Sequence, residues 1–183
     1  RPVWDTINIA TIGTIIALII AVPVAFSAAK NTTPHPIIRT IALFIIVSSR
    51  SVNSLIWALI LVFICGPGIF AGTIAIGLRS IGFCAKLLYE AIEEIDHNQV
   101  EAIQATGASR AQQMLYGIVP QVLPTFAGVG VYRWDINIRE STILGLVGAG
   151  GIGLQLNGSI NTLAWTQVST ILLVILGTVI TLS

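Results

Sequence analysis

Apolar residues run in long blocks along this chain, and polar residues collect between the blocks. No charged residue stands between Asp5 and Lys30, between Arg50 and Arg79, or between Arg110 and Arg133, and none follows Glu140. A helix needs about 20 mostly apolar residues to cross a bilayer, and each block is long enough. The pattern predicts five spans at about residues 7–29, 37–65, 70–91, 116–142 and 163 to the end. Pro23 marks a kink in the first. The connections are a proline-bearing loop at 30–36, where Pro34 and Pro36 cannot continue a helix, a sharp Gly66-Pro67-Gly68 turn, a polar island at about 93–113, and a glycine-rich re-entrant or loop segment at 145–153.

Composition sharpens this into a class. The chain is 55% hydrophobic and 9% charged, with mean hydropathy +0.90, where a soluble domain carries about 25% charged residues. Several apolar spans in 183 residues would leave a soluble fold no solvated face. The expectation is an all-α, polytopic transmembrane bundle, one domain over residues 1–183, embedded in lipid. The ends suggest a missing N-terminal helix and a missing C-terminal tail, and no signal peptide is visible. A net charge of +1 gives no basis for nucleic-acid binding. Cys65 and Cys84 sit in apolar surroundings without ligand spacing, so they read as core residues, not a disulfide or metal pair.

Basic residues orient the spans. Lys30 and Arg39 flank the first loop, and Lys86 and Arg110 flank the polar island, whereas the Gly66–Gly68 turn and residues 145–161 carry no Lys or Arg. By the positive-inside rule the first two face the cytoplasm and the other two face outward. An even number of spans separates the two cytoplasmic loops, so the assignment is consistent.

Five of the eight acids, Glu90, Glu93, Glu94, Asp96 and Glu101, gather within twelve positions at and just before the polar island. Asp96-His97-Asn98-Gln99 reads as a turn and N-cap entering a helix at Val100. Gly107 would end that helix in the left-handed conformation, and Ala108-Ser109-Arg110 would start the next. Ala102, Ala105 and Ala108 leave room for a partner to approach closely. A solvated linker between two spans is the plainer alternative.

Two other features need weighing. Gly148-Ala149-Gly150-Gly151-Ile152-Gly153 satisfies a dinucleotide fingerprint on paper, but no Asp or Glu follows Glu140 to meet a ribose and no strand–helix–strand pattern surrounds it. Close helix packing, or a gate at Gly148, Gly150, Gly151 and Gly153, fits better. Ionisable residues inside spans default to functional candidates. Arg50, Asn53 and Trp57 fall on one helical face of the second span at i, i+3, i+7, and Arg133, Asn137 and Glu140 share one on the fourth. Arg50, Asn53, Arg133, Asn137 and Arg139 are therefore candidates for a substrate pathway. The alternative is pairing: Asp135 with Arg139 at i, i+4, and Arg133 with Glu140 between subunits.

Three runs carry a resemblance. They are Tyr89-Glu90-Ala91-Ile92-Glu93-Glu94-Ile95-Asp96, then Val100-Glu101-Ala102-Ile103-Gln104-Ala105-Thr106-Gly107-Ala108, then Tyr116-Gly117-Ile118-Val119-Pro120. With Gly66-Pro67-Gly68 and Val147–Gly153 they resemble the permease subunits of type I ABC importers, in the phosphonate branch. The family's Glu-Ala-Ala loop is matched at Glu101, Ala102, Gly107 and Pro120, and departs at Ile103, Gly117 and Val119. The resemblance implies that Glu101, Ala102, Ala105, Gly107, Ala108 and Arg110 couple to an ABC ATPase. It implies a second permease subunit, identical or related, and an extracytoplasmic phosphonate-binding protein, in a bacterial inner membrane. For the pathway candidates the phosphonate branch implies an anion whose phosphoryl oxygens guanidinium groups match bidentately. The chain itself would be no enzyme and hold no cofactor or metal, ATP and Mg being bound by the ATPase. Phosphate, phosphite or an amino acid as cargo, or a membrane scaffold without an ATPase, are the alternatives.

Overall fold

The computed structural model describes residues 2–33 and 35–182, without the side chains of 2, 181 and 182. Pro34, expected to help break the first loop, and the terminal Arg1 and Ser183 lie outside the described residues. All regular structure among the described residues is helical: α1 Pro2–Ala28, α2 Pro36–Ser51, α3 Ser54–Cys65, α4 Ile69–Glu93, α5 His97–Ala105, α6 Arg110–Gln112, α7 Val119–Leu146, α8 Gly151–Asn161 and α9 Trp165–Leu182. A π-helical turn, Gln113–Ile118, joins α6 to α7.

Helices α1, α4 and α7 form the centre. What marks their inner faces is small size, not hydrophobicity. On α1, Ala10, Ala17, Ala21, Ala25 and Ala28 are fully buried, while Ile12, Ile15, Ile16, Ile19 and Ile20 are exposed. Lipid removes the hydrophobic reason to hide large side chains, so small residues that let backbones approach define the interface. A Cβ on Gly13 would lie 3.2 Å from the Thr73 carbonyl oxygen of α4. The two helices run parallel, and the Lys30 amide donates to Glu93 at the other end.

The expected grouping of the loops into two ends is visible in which loops meet. At one end, Lys30 N and Arg39 reach Glu93, and Asn31 Nδ2 donates to Ile92 O, so the first loop abuts the entry to the polar island. At the other, Gly68 N donates to Gly148 O, and Ile152 N donates to Thr6 Oγ1.

Three expectations need correction. The second span is not one helix: α2 and α3 meet at 87°. Val52 is extended, and the Asn53 side chain caps α3 by accepting from Leu55 N. The Arg50–Asn53–Trp57 face therefore does not exist, because Arg50 ends one helix and Asn53 caps the next. Helix α1 runs on through Pro23 to Ala28, the extent expected of the first span. The helix expected from 116 begins at Arg110 and extends to Leu146 with the π turn inside it. Finally, 145–153 is a short turn followed by helix α8. Helices α1, α4 and the stretch from Arg110 are long and apolar enough to cross a membrane, and α2 with α3 makes a fourth, broken span. Residues Trp165–Ile180, in the expected fifth, are apolar but shorter.

Candidate functional site: a presented helix and a buried polar centre

The polar island folds into α5, a turn, and α6. Asp96 caps α5 by accepting from Asn98 N at 2.9 Å. Gly107, at φ +84°, turns the chain in the left-handed region that a Cβ disfavours. Ser109 opens α6 with a reciprocal capping box, Gln112 N donating to Ser109 Oγ and Ser109 N to Gln112 Oε1. No residue of α5 is buried. Glu101, Ala102, Ala105, Gly107 and Arg110 are exposed and Ala108 is half-buried. A nine-residue helix this polar is marginal alone, so the remainder of the chain must hold it. Gln121 of α7 does so: its Oε1 accepts from Asp96 N at 2.9 Å, and its Nε2 donates to Gly117 O at 2.7 Å. Gly117 lets α5 lie close, since a Cβ there would be 3.3 Å from Ile103 Cδ1 and 3.4 Å from Val100 Cγ2. In the sequence pattern Gly117 is only a departure from a motif, and nothing there singles out Gln121 as a functional residue.

The second assembly lies mid-span. Arg133 is 2% exposed and Asn137 is fully buried. Arg133 Nε donates to Ser80 Oγ at 3.0 Å, Ser80 Oγ donates to Asn137 Oδ1 at 3.1 Å, and Asn137 Nδ2 donates to Thr14 Oγ1 at 2.8 Å. One chain of hydrogen bonds thus ties α7 to α4 and α1. Arg133 Nη2 stands 3.5 Å from Glu140 Oε2, and Arg79 Nη1 bonds Glu140 Oε1. The guanidinium of Arg133 also lies 5.0 Å from the Phe83 ring centre. Arg133, Asn137 and Glu140 share a face as expected, but that face points into the subunit. The pairing of Arg133 with Glu140, weighed above as a contact between subunits, is made within one.

The remaining candidates lie apart. Arg50 and Asn53 are exposed at the α2–α3 break, and Arg139 pairs with Asp135 at 2.7 Å on an exposed stretch of α7. Gly148, Gly150 and Gly151 have φ between +74° and +90°. Gly153 packs α8 against α7, where a Cβ would lie 2.8 Å from Gly145 Cα. Among the described residues no cluster of three or more His, Cys, Asp or Glu offers a metal site.

A presented helix, an all-helical apolar body and loops sorted by charge are joined by a match along the chain. Residues 10–183 match the model of the binding-protein-dependent transport system inner membrane component. The chain belongs to this family. The phosphite transport system permease protein of Stutzerimonas stutzeri is 45% identical over 179 residues, 98% of this chain and 65% of that protein. The phosphate-import permease protein of Mycolicibacterium smegmatis is 41% identical over 172 residues, 94% of this chain and 32% of that one. The chain thus spans between a third and two thirds of the length of these two relatives. A protein of Escherichia coli K12 named for cryptic phosphonate transport is 40% identical over 106 residues, and the match covers 87% of its length. In fold, an inward-facing methionine ABC transporter superposes with a TM-score of 0.81 at 22% identity, covering 100% of this chain and 89% of that one. The type I importer permease fold expected from the resemblance is therefore the fold observed.

Proposed function

We propose that this chain forms one half of the membrane pore of an ABC importer for a phosphorus oxyanion, with phosphonate as the first candidate. The observation that carries the reading is the presented helix α5. It has no buried residue, is capped at both ends, and is braced from beneath by Gln121 and Gly117. A helix that spends its polar surface on water at a membrane face, yet is held so firmly, is built to be gripped. The grip would come from an ABC ATPase, through Glu101, Ala102, Ala105, Gly107, Ala108 and Arg110. ATP and Mg belong to that partner, and this chain is the non-enzymatic part. A second permease subunit, identical or related, completes the pore, and an extracytoplasmic binding protein delivers the anion across a bacterial inner membrane.

The names of the relatives support the substrate class: phosphite, phosphate and phosphonate recur among proteins 40–45% identical. The methionine system shares the fold at 22% identity, which supports architecture and not cargo. On the pathway we place the exposed Arg50, Asn53 and Arg139. Arg133 and Asn137 brace the helices behind it.

The test is ATPase activity of the reconstituted transporter with its binding protein loaded in turn with methylphosphonate, phosphite, phosphate and an amino acid. Stimulation by one or more phosphorus oxyanions and not by the amino acid supports the proposal, and the strongest names the cargo. Stimulation by the amino acid alone keeps the machine and overturns the cargo. Failure to associate with any ATPase leaves a membrane scaffold and overturns the importer.

A further inference from the structure

The break between α2 and α3 is unlike the rest of the lipid-facing surface. Up to Val47 the exposed positions of α2 are mostly large and apolar, Ile37, Ile38, Ile41, Phe44, Ile45 and Val47. Ser48, Arg50, Ser51 and Asn53 then follow, all exposed. A polar patch of this kind within a span belongs to a water-lined cavity, not to hydrocarbon. Its depth follows from α4. The Ser49 hydroxyl donates to Leu78 O, Gly82 N donates to Ser49 Oγ at 3.2 Å, and Arg79 Nη1 lies 3.5 Å from Ser54 Oγ. The end of α2 and the start of α3 are therefore both held on the turn of α4 that carries Arg79, near the middle of Ile69–Glu93.

The charges at this level do not balance. Arg79 and Arg133 share the single carboxylate of Glu140, which leaves one positive charge, and Arg50 adds a second with no ion pair among the described residues. The other acids are committed or distant. Asp135 pairs with Arg139, Glu93 with Arg39 and Glu90 with Lys86. Glu94, Asp96 and Glu101 lie at the cytoplasmic end. Asp5 is in the first turn of α1, roughly 16 Å further out than Arg79 by the rise per residue and the parallel packing of α1 on α4. An uncompensated guanidinium at mid-span is costly, and within this chain nothing supplies the missing negative charge.

We propose that the passing oxyanion supplies it: Arg50 and Arg79 form a transit contact at the α2–α3 break, and Glu140 is the carboxylate that Arg79 exchanges for the substrate. The proposal rests on the importer reading and adds to it the place of contact and the reason that contact is brief. Arg79 is about one-third exposed, and one of its nitrogens already holds Glu140, so it meets a phosphoryl oxygen without leaving a charge stranded. When the anion moves on, Glu140 takes the guanidinium back. Weak, reversible binding is what conduction requires. Arg133, locked on Ser80, holds Glu140 in place throughout.

The experiment is uptake by the complete transporter in proteoliposomes, with the binding protein loaded with methylphosphonate, phosphite or phosphate, for R50Q, R79Q, R79K and E140Q. Removing either guanidinium from the path of the oxyanion should lower uptake per assembled complex about tenfold or more, and R79K should recover part of the rate. R79Q leaves Arg133 and Glu140 as a neutral pair, so the bundle keeps its balance. E140Q frees Arg79 but also breaks the buried Arg133 pair, so it is read per assembled complex, where equilibrium binding of the imported anion without the binding protein should rise. Arg50 has no hydrogen-bond or ion-pair partner among the described residues whose loss could unfold the chain, so its variant decides the matter alone: wild-type uptake by R50Q overturns the site even where R79Q fails to assemble. Wild-type import of any of the three anions with a normal R50Q leaves the importer standing and removes the site. No wild-type import of all three overturns the importer reading and the site with it.

Discussion

Adding one methyl group at Gly153 tests the packing of α8 on α7. Gly153 lies in α8 over the last turns of α7. A Cβ there would fall inside van der Waals contact of the Thr142 carbonyl oxygen, 2.8 Å from Gly145 Cα and 2.9 Å from Gly145 C. All three are backbone atoms, so no side chain can swing aside, and the helices must part. Overpacking of this kind costs about 1–3 kcal/mol, the upper end applying where only backbone can yield. Alanine returns about 0.5–1 kcal/mol through helix propensity. The net for Gly153→Ala is about 2 kcal/mol of destabilisation, or roughly 4–8 °C in melting temperature for a chain of this size. Cys84 provides the assay, because it is fully buried whereas Cys65 is exposed. In a Cys65→Ser background, a thiol-reactive dye labels Cys84 only as the core opens. Gly128→Ala is the control, since nothing lies within 4 Å of a Cβ at that position. Equal melting of Gly153→Ala and the parent, or an equal loss in Gly128→Ala, would refute the close approach of α7 and α8.

The presented helix and the buried centre give further tests. Gly107→Val forces a β-branched residue to φ +84°, at about 1–2 kcal/mol; together with the fold-neutral charge reversal Glu101→Lys it should abolish co-purification of the ATPase, and retention in both would remove α5 as the docking element. Gln121→Met deletes the bonds to Asp96 N and Gly117 O, about 1 kcal/mol net, and amide exchange across 97–105 should speed up about fivefold; unchanged exchange means that Gln121 does not brace the helix. A pathway role for Arg133, as the sequence suggests, would have Arg133→Ala lower uptake while assembly survives. Its 2% exposure and its bonds to Ser80 and Glu140 instead predict loss of folded subunit, about 3–5 kcal/mol for breaking a buried pair, and a normal yield by gel filtration would contradict this.

Most of the fold was legible because lipid imposes simple rules. Charge-free blocks located α1, α4 and α7, and Lys and Arg counts sorted the loops to the two ends where the structure brings them together. The N-cap at Asp96 and the left-handed Gly107 were readable because each carries a local chemical signal. What could not be read was the break at Val52. Hydropathy stays high on both sides of it, and Asn53 is one polar residue in a long apolar run. Its role as an N-cap is legible only once the second span is allowed to be two helices, and the exposed Ser48–Arg50–Ser51 run was the available hint. The pathway residues suffered from the same blindness. A helical wheel shows that Arg133, Asn137 and Glu140 share a face, but not whether that face meets Ser80 and Thr14 or a cavity, because periodicity does not carry tertiary partners.

The distribution of polar contacts in this bundle explains how a push at α5 could reach the middle of the membrane. At the end that carries α5, Gln121 fixes α5 to α7, while Glu93 at the end of α4 receives Lys30 N and Arg39. A load on the presented helix is therefore delivered to α7 directly, and α4 moves with the first loop. At mid-span the Arg133–Ser80–Asn137–Thr14 chain binds α7, α4 and α1 into one unit. Helices α2 and α3 are attached to that unit differently: Ser49 grips α4 from one side of the break and Arg79 reaches Ser54 from the other. The 87° bend lies between these two grips, and the Asn53 side chain accepts from Leu55 N at the start of α3. A bundle with its rigid polar staple beside its break can displace the break against the staple without exposing an unpaired backbone group, which is the constraint that any moving part within a bilayer must meet.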